Sequence, residues 1–144
     1  MKNHVVDELN KFLEGNFMAI HAYENYIHHI DDQSVKEILQ KLQQEHKHHA
    51  TMIAERIQDL GGVPVDHVGF GGTIAEFVVN LKGATTDRTS ILKDALVGES
   101  RGIKKSKELL NGDLDPQSLE LVKNILNNDQ QHLELLDQLI QKYE

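Results

Sequence analysis

Four stretches of this 144-residue chain carry apolar residues at steps of three and four, and only two prolines interrupt the whole. That spacing is the period of an amphipathic helix, whereas a half-buried strand alternates at every second residue. In the first stretch, about 3–30, the apolar positions are Val6, Leu9, Leu13, Phe17, Ile20, Ile27 and Ile30. Ser34 and Glu37 then have the form of a capping box, so a second helix is expected over about 35–60, ended by Gly61-Gly62. A third is expected from Thr86 or Asp87 to Leu110, with Asn111-Gly112 supplying a left-handed residue after it. Asp115-Pro116 reads as an N-cap followed by proline at the first helical position, and opens a fourth helix to about Tyr143.

Between the second and third helices, Gly61, Gly62, Gly69, Gly71, Gly72 and Pro64 mark a loop. Within it Thr73-Ile-Ala-Glu76 is another capping box, opening a short helix to about Lys82. A helix of about 26 residues is roughly 39 Å long, and a connection of similar residue count can travel that length. The expected fold is therefore all-α: a single domain over 1–144, two helical hairpins joined by a long crossover containing a short helix. Helices two and three then run parallel.

Charge narrows the function. Lys and Arg total 15 against 23 Asp and Glu, a net charge of -8, which argues against nucleic acid or an anionic membrane face as partner. The absence of cysteine removes disulfides, thiolate zinc sites, iron–sulfur clusters and cysteine nucleophiles. No apolar run approaches the roughly 18–20 residues that cross a bilayer. The N-terminus lacks a signal-peptide pattern, so a cytoplasmic location is expected. Nine histidines stand out, six of them between His21 and His49.

Charged residues also fall on the apolar stripes. Helix one reads Leu13, Phe17, Ile20, Glu24, Ile27; helix two reads Ile38, Leu42, Glu45, then His48 or His49, then Met52. In helix three Leu92 and Ala95 or Leu96 lead to Glu99 and Ile103; in helix four Val122 and Ile125 or Leu126 lead to Asp129, His132, Leu136 and Ile140. A buried carboxylate without a partner costs several kcal/mol, and four of them would exceed the stability of a small domain. No lysine or arginine shares those stripes at that depth, so metal cations are the natural counter-charge. Four carboxylates and two histidines, with two Glu/Asp-x-x-His spacings that put both ligands on one helical face, suit two divalent ions. Oxygen-rich ligation with one nitrogen per metal suits iron or manganese and accepts zinc.

This ordered set resembles the ferritin-like di-iron carboxylate superfamily. The stretches MAIHAYENYI, LQQEHKHHA and LNNDQQHLELL look like a bacterial ferritin-like family known chiefly as of unknown function. The resemblance implies a ferritin-like four-helix bundle. It also implies Glu24, Glu45 and His48 as ligands of one metal and Glu99, Asp129 and His132 of the other, His48 being preferred to His49 by the family's spacing. The bridging groups would include Glu45 and Asp129, or Glu24 and Glu99. Asp129 stands where glutamate is usual, no rubredoxin-like cysteine motif is present, and no fifth helix follows Glu144, which speaks against a ferritin-type shell.

His21 and His28 lie at helical spacing from Glu24, as candidate hydrogen-bond partners or plain surface residues; His4 and His67 read as surface. His28-His29 and His46-His48-His49 are also candidates for a surface metal patch. Tyr23 and Tyr26 flank Glu24 and are expected in the packing, with a hydrogen bond or electron to a metal pair as the alternative. Gly98 and Gly102 bracket Glu99, either opening space beside it or allowing close helix packing. The expected function is a di-metal protein acting on dioxygen, peroxide or ferrous iron. Its alternatives are a non-catalytic metal buffer and a metal-free helical interaction protein. Ile74, Phe77 and Val78 are candidates for a homodimer contact.

Overall fold

Aspartates set three of the four helix starts in the computed structural model, which describes residues 2–66 and 87–144. Helix α1 spans Lys2–His29, α2 Gln33–Asp59, α3 Arg88–Ser106 and α4 Pro116–Tyr143, and a 3₁₀ segment Lys107–Asn111 extends α3. Asp32, Asp87 and Asp115 each accept a free amide of the first turn, from Val35, Ser90 and Ser118 at 3.1, 3.0 and 3.2 Å. Ser34 does not cap α2 itself; its hydroxyl donates to Asp32 Oδ1 at 2.7 Å, and the helix starts one residue earlier than Ser34. Gly61 leaves α2 in the left-handed region at φ 84°, as expected of a residue just past a helix end. Gly112 does not repeat this: its φ of -92° and ψ of -162° are extended, because the 3₁₀ segment tightens the chain first. The expected short helix from Thr73 to Lys82 lies outside the described residues, as do His67, Ile74, Phe77 and Val78.

Two apolar clusters fix the topology. One joins Tyr26 and Ile30 at the end of α1, Val35 and Leu39 at the start of α2, Ile91 and Leu92 at the start of α3, and Leu139 and Ile140 at the end of α4. The other joins Val5 and Leu9 of α1, Ile53 and Ile57 of α2, Val122 and Ile125 of α4, with Leu109 and Leu110 beyond α3. Helices α2 and α3 therefore begin at the same end of the bundle and run parallel, so α2 ends at the opposite end from the one where α3 begins. Within each hairpin the helices pack closely; α1 also lies against α3 and α2 against α4. This is the four-helix bundle with one long crossover.

Polar contacts tie the hairpins at both ends. Arg88 donates to Asp32 at 2.8 Å and lies 3.8 Å over the Tyr143 ring, at the end where α2 and α3 start. At the other end Arg56 donates to Asp115 at 2.7 Å and to Ser118 at 2.9 Å. The chain after α2 is held against α1: Asn10 donates to the Val63 carbonyl at 3.1 Å and accepts from the Val65 amide at 2.9 Å. Gly62 sits so close to Val6 that an added Cβ would meet its side chain at 2.6 Å. Among the described residues no helix is long and apolar enough to cross a membrane.

Candidate metal centre

Between the two apolar clusters the core turns polar. The buried line of α1 runs Leu9, Phe12, Leu13, Asn16, Ala22, Tyr23, Tyr26, Ile30, with Phe17, Ile20 and Ile27 only partly covered. Leu9, Leu13 and Ile30 are buried as expected; between Leu13 and Ile30 the stripe is rotated by about one residue, 100° of helix. Tyr23 therefore points inward where Glu24 was expected. Glu24 is exposed and accepts a hydrogen bond from Gln43 Nε2 at 3.0 Å. On α2 the buried line is Leu39, Leu42, His46, His49, Ile53, Ile57. His48 is exposed and Glu45 half-buried. On α3 and α4 the expected Glu99, Asp129 and His132 are all buried.

The result is a cluster of His46, Glu99, Asp129 and His132, with ligand atoms within 4.8 Å of one another. Glu99 Oε2 is its hub. It accepts from the Tyr23 hydroxyl at 2.6 Å and lies 2.9 Å from His46 Nε2 and 3.2 Å from His132 Nδ1. Burial pushes the Glu99 carboxyl up, but the hydrogen bonds of His132 and His46 outweigh it and hold it at about 2. Burial also disfavours the His132 imidazolium, yet Glu99 and Glu45, the latter 2.9 Å from its other nitrogen, raise it to about 9. His132 thus supplies in the metal-free protein a positive charge that no lysine or arginine provides. Tyr23 is held protonated by burial and by the neighbouring Glu99 charge.

Asp129 is treated differently. Burial lifts its carboxyl to about 6. Its Oδ1 has no hydrogen-bond partner, and neither do His46 Nδ1 and His49 Nδ1. These atoms converge: His49 Nδ1, His132 Nδ1 and His46 Nδ1 stand 3.5, 3.6 and 3.8 Å from Asp129 Oδ1. Those gaps are too long for hydrogen bonds and near the roughly 3.4 Å that separates donors about 2.1 Å from one tetrahedral ion. Burial and the neighbouring His46 and His132 hold His49 down at about 4, so it is neutral at pH 7 and has a lone pair to offer a cation. The residues fit a metal ion.

Three of the six expected ligands, Glu99, Asp129 and His132, thus share the cluster, Glu45 touches it through His132, and Glu24 and His48 lie outside it. His46, His49 and Tyr23 take the inward places. Reading α2 back from Ile57 and Ile53 by steps of four and three lands on His49 and His46; starting from Ile38 lands one residue away. Of the other histidines, His4 and His28 are exposed, and His28 and His29 stack edge-on at 5.0 Å. Gly98 and Gly102 are exposed, and among the described residues nothing lies within 4 Å of an added Cβ, so against those residues they neither open space in the core nor admit a close helix.

A four-helix bundle with one long crossover is the ferritin-like fold, and here it carries a buried histidine–carboxylate cluster at mid-height. The chain belongs to the family described as a domain of unknown function (DUF2383), whose model matches residues 4–112. Among solved structures it is similar to a two-domain protein of Anabaena variabilis containing DJ-1/ThiJ/PfpI-like and ferritin-like domains (TM-score 0.80, 19% identity); the match covers 100% of this chain and 41% of that one. It is similar also to a dodecameric thioferritin, the bacterioferritin-related protein of Bacteroides fragilis (TM-score 0.77, 22% identity, 99% of this chain and 88% of that one). A ferritin-like, diiron-carboxylate protein of Bacillus anthracis str. Ames gives a TM-score of 0.73 at 21% identity, over 96% of both chains. No curated protein matches the sequence.

Proposed function

We propose that the buried cluster binds a divalent transition-metal ion, iron first, and that the loaded protein acts on dioxygen or peroxide. The convergence of three partnerless buried donors, His46 Nδ1, His49 Nδ1 and Asp129 Oδ1, carries the reading. His132 and Glu99 flank them as further donors once the His132 proton leaves. Two ions were expected from four carboxylates and two histidines together; with Glu24 and His48 exposed, the proposal is for one enclosed ion, and a second would rely chiefly on Glu45.

Bound ferrous iron would supply one electron per ion toward dioxygen or peroxide. The protein's own groups exclude bulk water with the two apolar clusters and hold a proton on the Tyr23 hydroxyl beside Glu99. Similarity to the diiron-carboxylate protein of Bacillus anthracis supports iron. Three imidazoles around one carboxylate suit zinc as well, so a non-catalytic metal store is the second reading. Self-association is proposed by likeness to the dodecameric relative, and light scattering of the purified protein checks it.

The test is anaerobic loading of chelator-stripped protein with ferrous iron, desalting, and elemental analysis, followed by exposure to peroxide with the ultraviolet spectrum recorded. One retained ion per chain and a new ferric absorption support the redox reading. Retained metal with a silent spectrum supports the store. No retained metal in wild type overturns both.

A further inference from the structure

A recess of about 300 Å³ opens in the seam between α2 and α4, lined by Glu45, His48, Met52, Asn124 and Asn128, with the buried His49 also on its wall. Helices α2 and α4 touch less than the partners within either hairpin, so the bundle is thinnest here. Polar groups share its wall with Met52 and Ile125. His48 is exposed, and Glu45, three residues before it on the same helical face, is half-buried. The inner end of Glu45 lies 2.9 Å from His132 Nε2. Asn128 shares the recess wall with Glu45 and His49 and so stands between the recess and the cluster.

Resting on the metal-binding reading above, we infer that this seam is the way in for the cation, with Glu45 and His48 as an outer landing site for a divalent metal and Asn128 as the door to His49. A hydrated divalent ion sheds water only where other donors replace it, and an apolar wall offers none. The larger recess, about 530 Å³ on the outer face of α3 and α4, is lined by Leu96, Arg101, Glu134 and Asp137 among others; it reaches no member of the cluster. In the α2–α4 seam the carboxylate of Glu45 spans from solvent to His132. An ion held by Glu45 and His48 needs only the Asn128 amide to swing aside before His49 can take it. The Glu45-x-x-His48 pair thus acts one step outside the place that its spacing suggested.

Stopped-flow mixing of metal-free full-length protein with cobalt(II) tests this, since the visible d–d band reports the ion in the histidine cluster. His48→Gln removes a landing ligand and should slow loading about tenfold. Asn124 is exposed at the mouth and outside the cluster, so Asn124→Lys and Asn124→Asp change only the charge an arriving ion meets. The first should slow loading and the second speed it, each about threefold at low salt and less at high salt. A structural effect would not change sign with charge. Loading by wild type with all three variants at the wild-type rate overturns the route. A normal rate for His48→Gln with the charge effects intact overturns the landing role of His48 alone. Wild type that never develops the band overturns the metal-binding reading instead.

Discussion

Replacing Asp129 by asparagine should move stability in opposite directions with and without metal. In the metal-free protein the carboxylate is buried, has no hydrogen-bond partner at Oδ1, and has its carboxyl raised from 3.8 to about 6. At about 1.4 kcal/mol per pH unit, a shift of about two units makes the anion cost the fold roughly 3 kcal/mol at neutral pH. Asparagine removes the charge, and its amide can donate to the free Nδ1 atoms of His46 and His49. Asp129→Asn should therefore stabilise metal-free protein by about 1–3 kcal/mol, roughly 3–10 °C in melting temperature for a chain of this size. The gain is full above about pH 6, where native Asp129 is ionised, and shrinks as pH falls from 6 to 3.8, below which the carboxyl is protonated in folded and unfolded chains alike. Zinc or cobalt at about a thousand times its dissociation constant stabilises wild type by about 4 kcal/mol. The variant has lost a ligand and gains less, so with metal the order of melting reverses. Calorimetry with chelator and with saturating metal, at pH 7.5 and pH 4.5, reads all of this. A metal-free variant that melts below wild type at pH 7.5, or an order that metal leaves unchanged, refutes the reasoning.

Tyr23→Phe removes the 2.6 Å donor to Glu99 while keeping the ring against His46; urea unfolding of metal-free protein should show a loss of about 1.5–3 kcal/mol, and an unchanged midpoint would contradict that hydrogen bond. Gly98→Ala and Gly102→Ala should each stabilise by about 0.5–1 kcal/mol, because both sites are helical, exposed and uncrowded. A fall in melting temperature for either would mean that this face of α3 is covered.

Helix type and extent were legible because periodicity and capping chemistry are local. Asp115-Pro116 starts α4 where expected, and Gly61 ends α2 as expected. The crossover topology followed from residue count and helix length together. Register was harder. Leu9, Leu13 and Leu42 are buried as expected, but Ile38, Phe17, Ile20 and Ile27 are apolar yet sit at the margin of the core, while Asn16, Gln43 and three histidines are inside it, so hydrophobicity alone rotates the middle of the stripe by about one residue. On α3 and α4, Leu92, Ala95, Val122 and Leu136 leave less choice, and Glu99, Asp129 and His132 were located correctly within the core. For α1 and α2 the same rotation exchanges Glu24 for Tyr23 and Glu45/His48 for His46/His49. The chemistry read from spacing changes with it, from an oxygen-rich pair of half-sites to a nitrogen-rich pocket. Charge accounting alone was insufficient too, because His132 can neutralise a carboxylate without any metal.

The two arginine bridges govern the mid-height cluster from a distance. Arg88 on Asp32 and Arg56 on Asp115 clasp one hairpin to the other near opposite ends of α2, a helix roughly 40 Å long. Sliding the hairpins by a single turn, about 5.4 Å, would carry Glu99 and Asp129 past the histidines that face them. The alignment of donors is thus gauged at the rims, like the pitch of two combs held by their end teeth, and damage there would misalign a pocket that neither arginine touches.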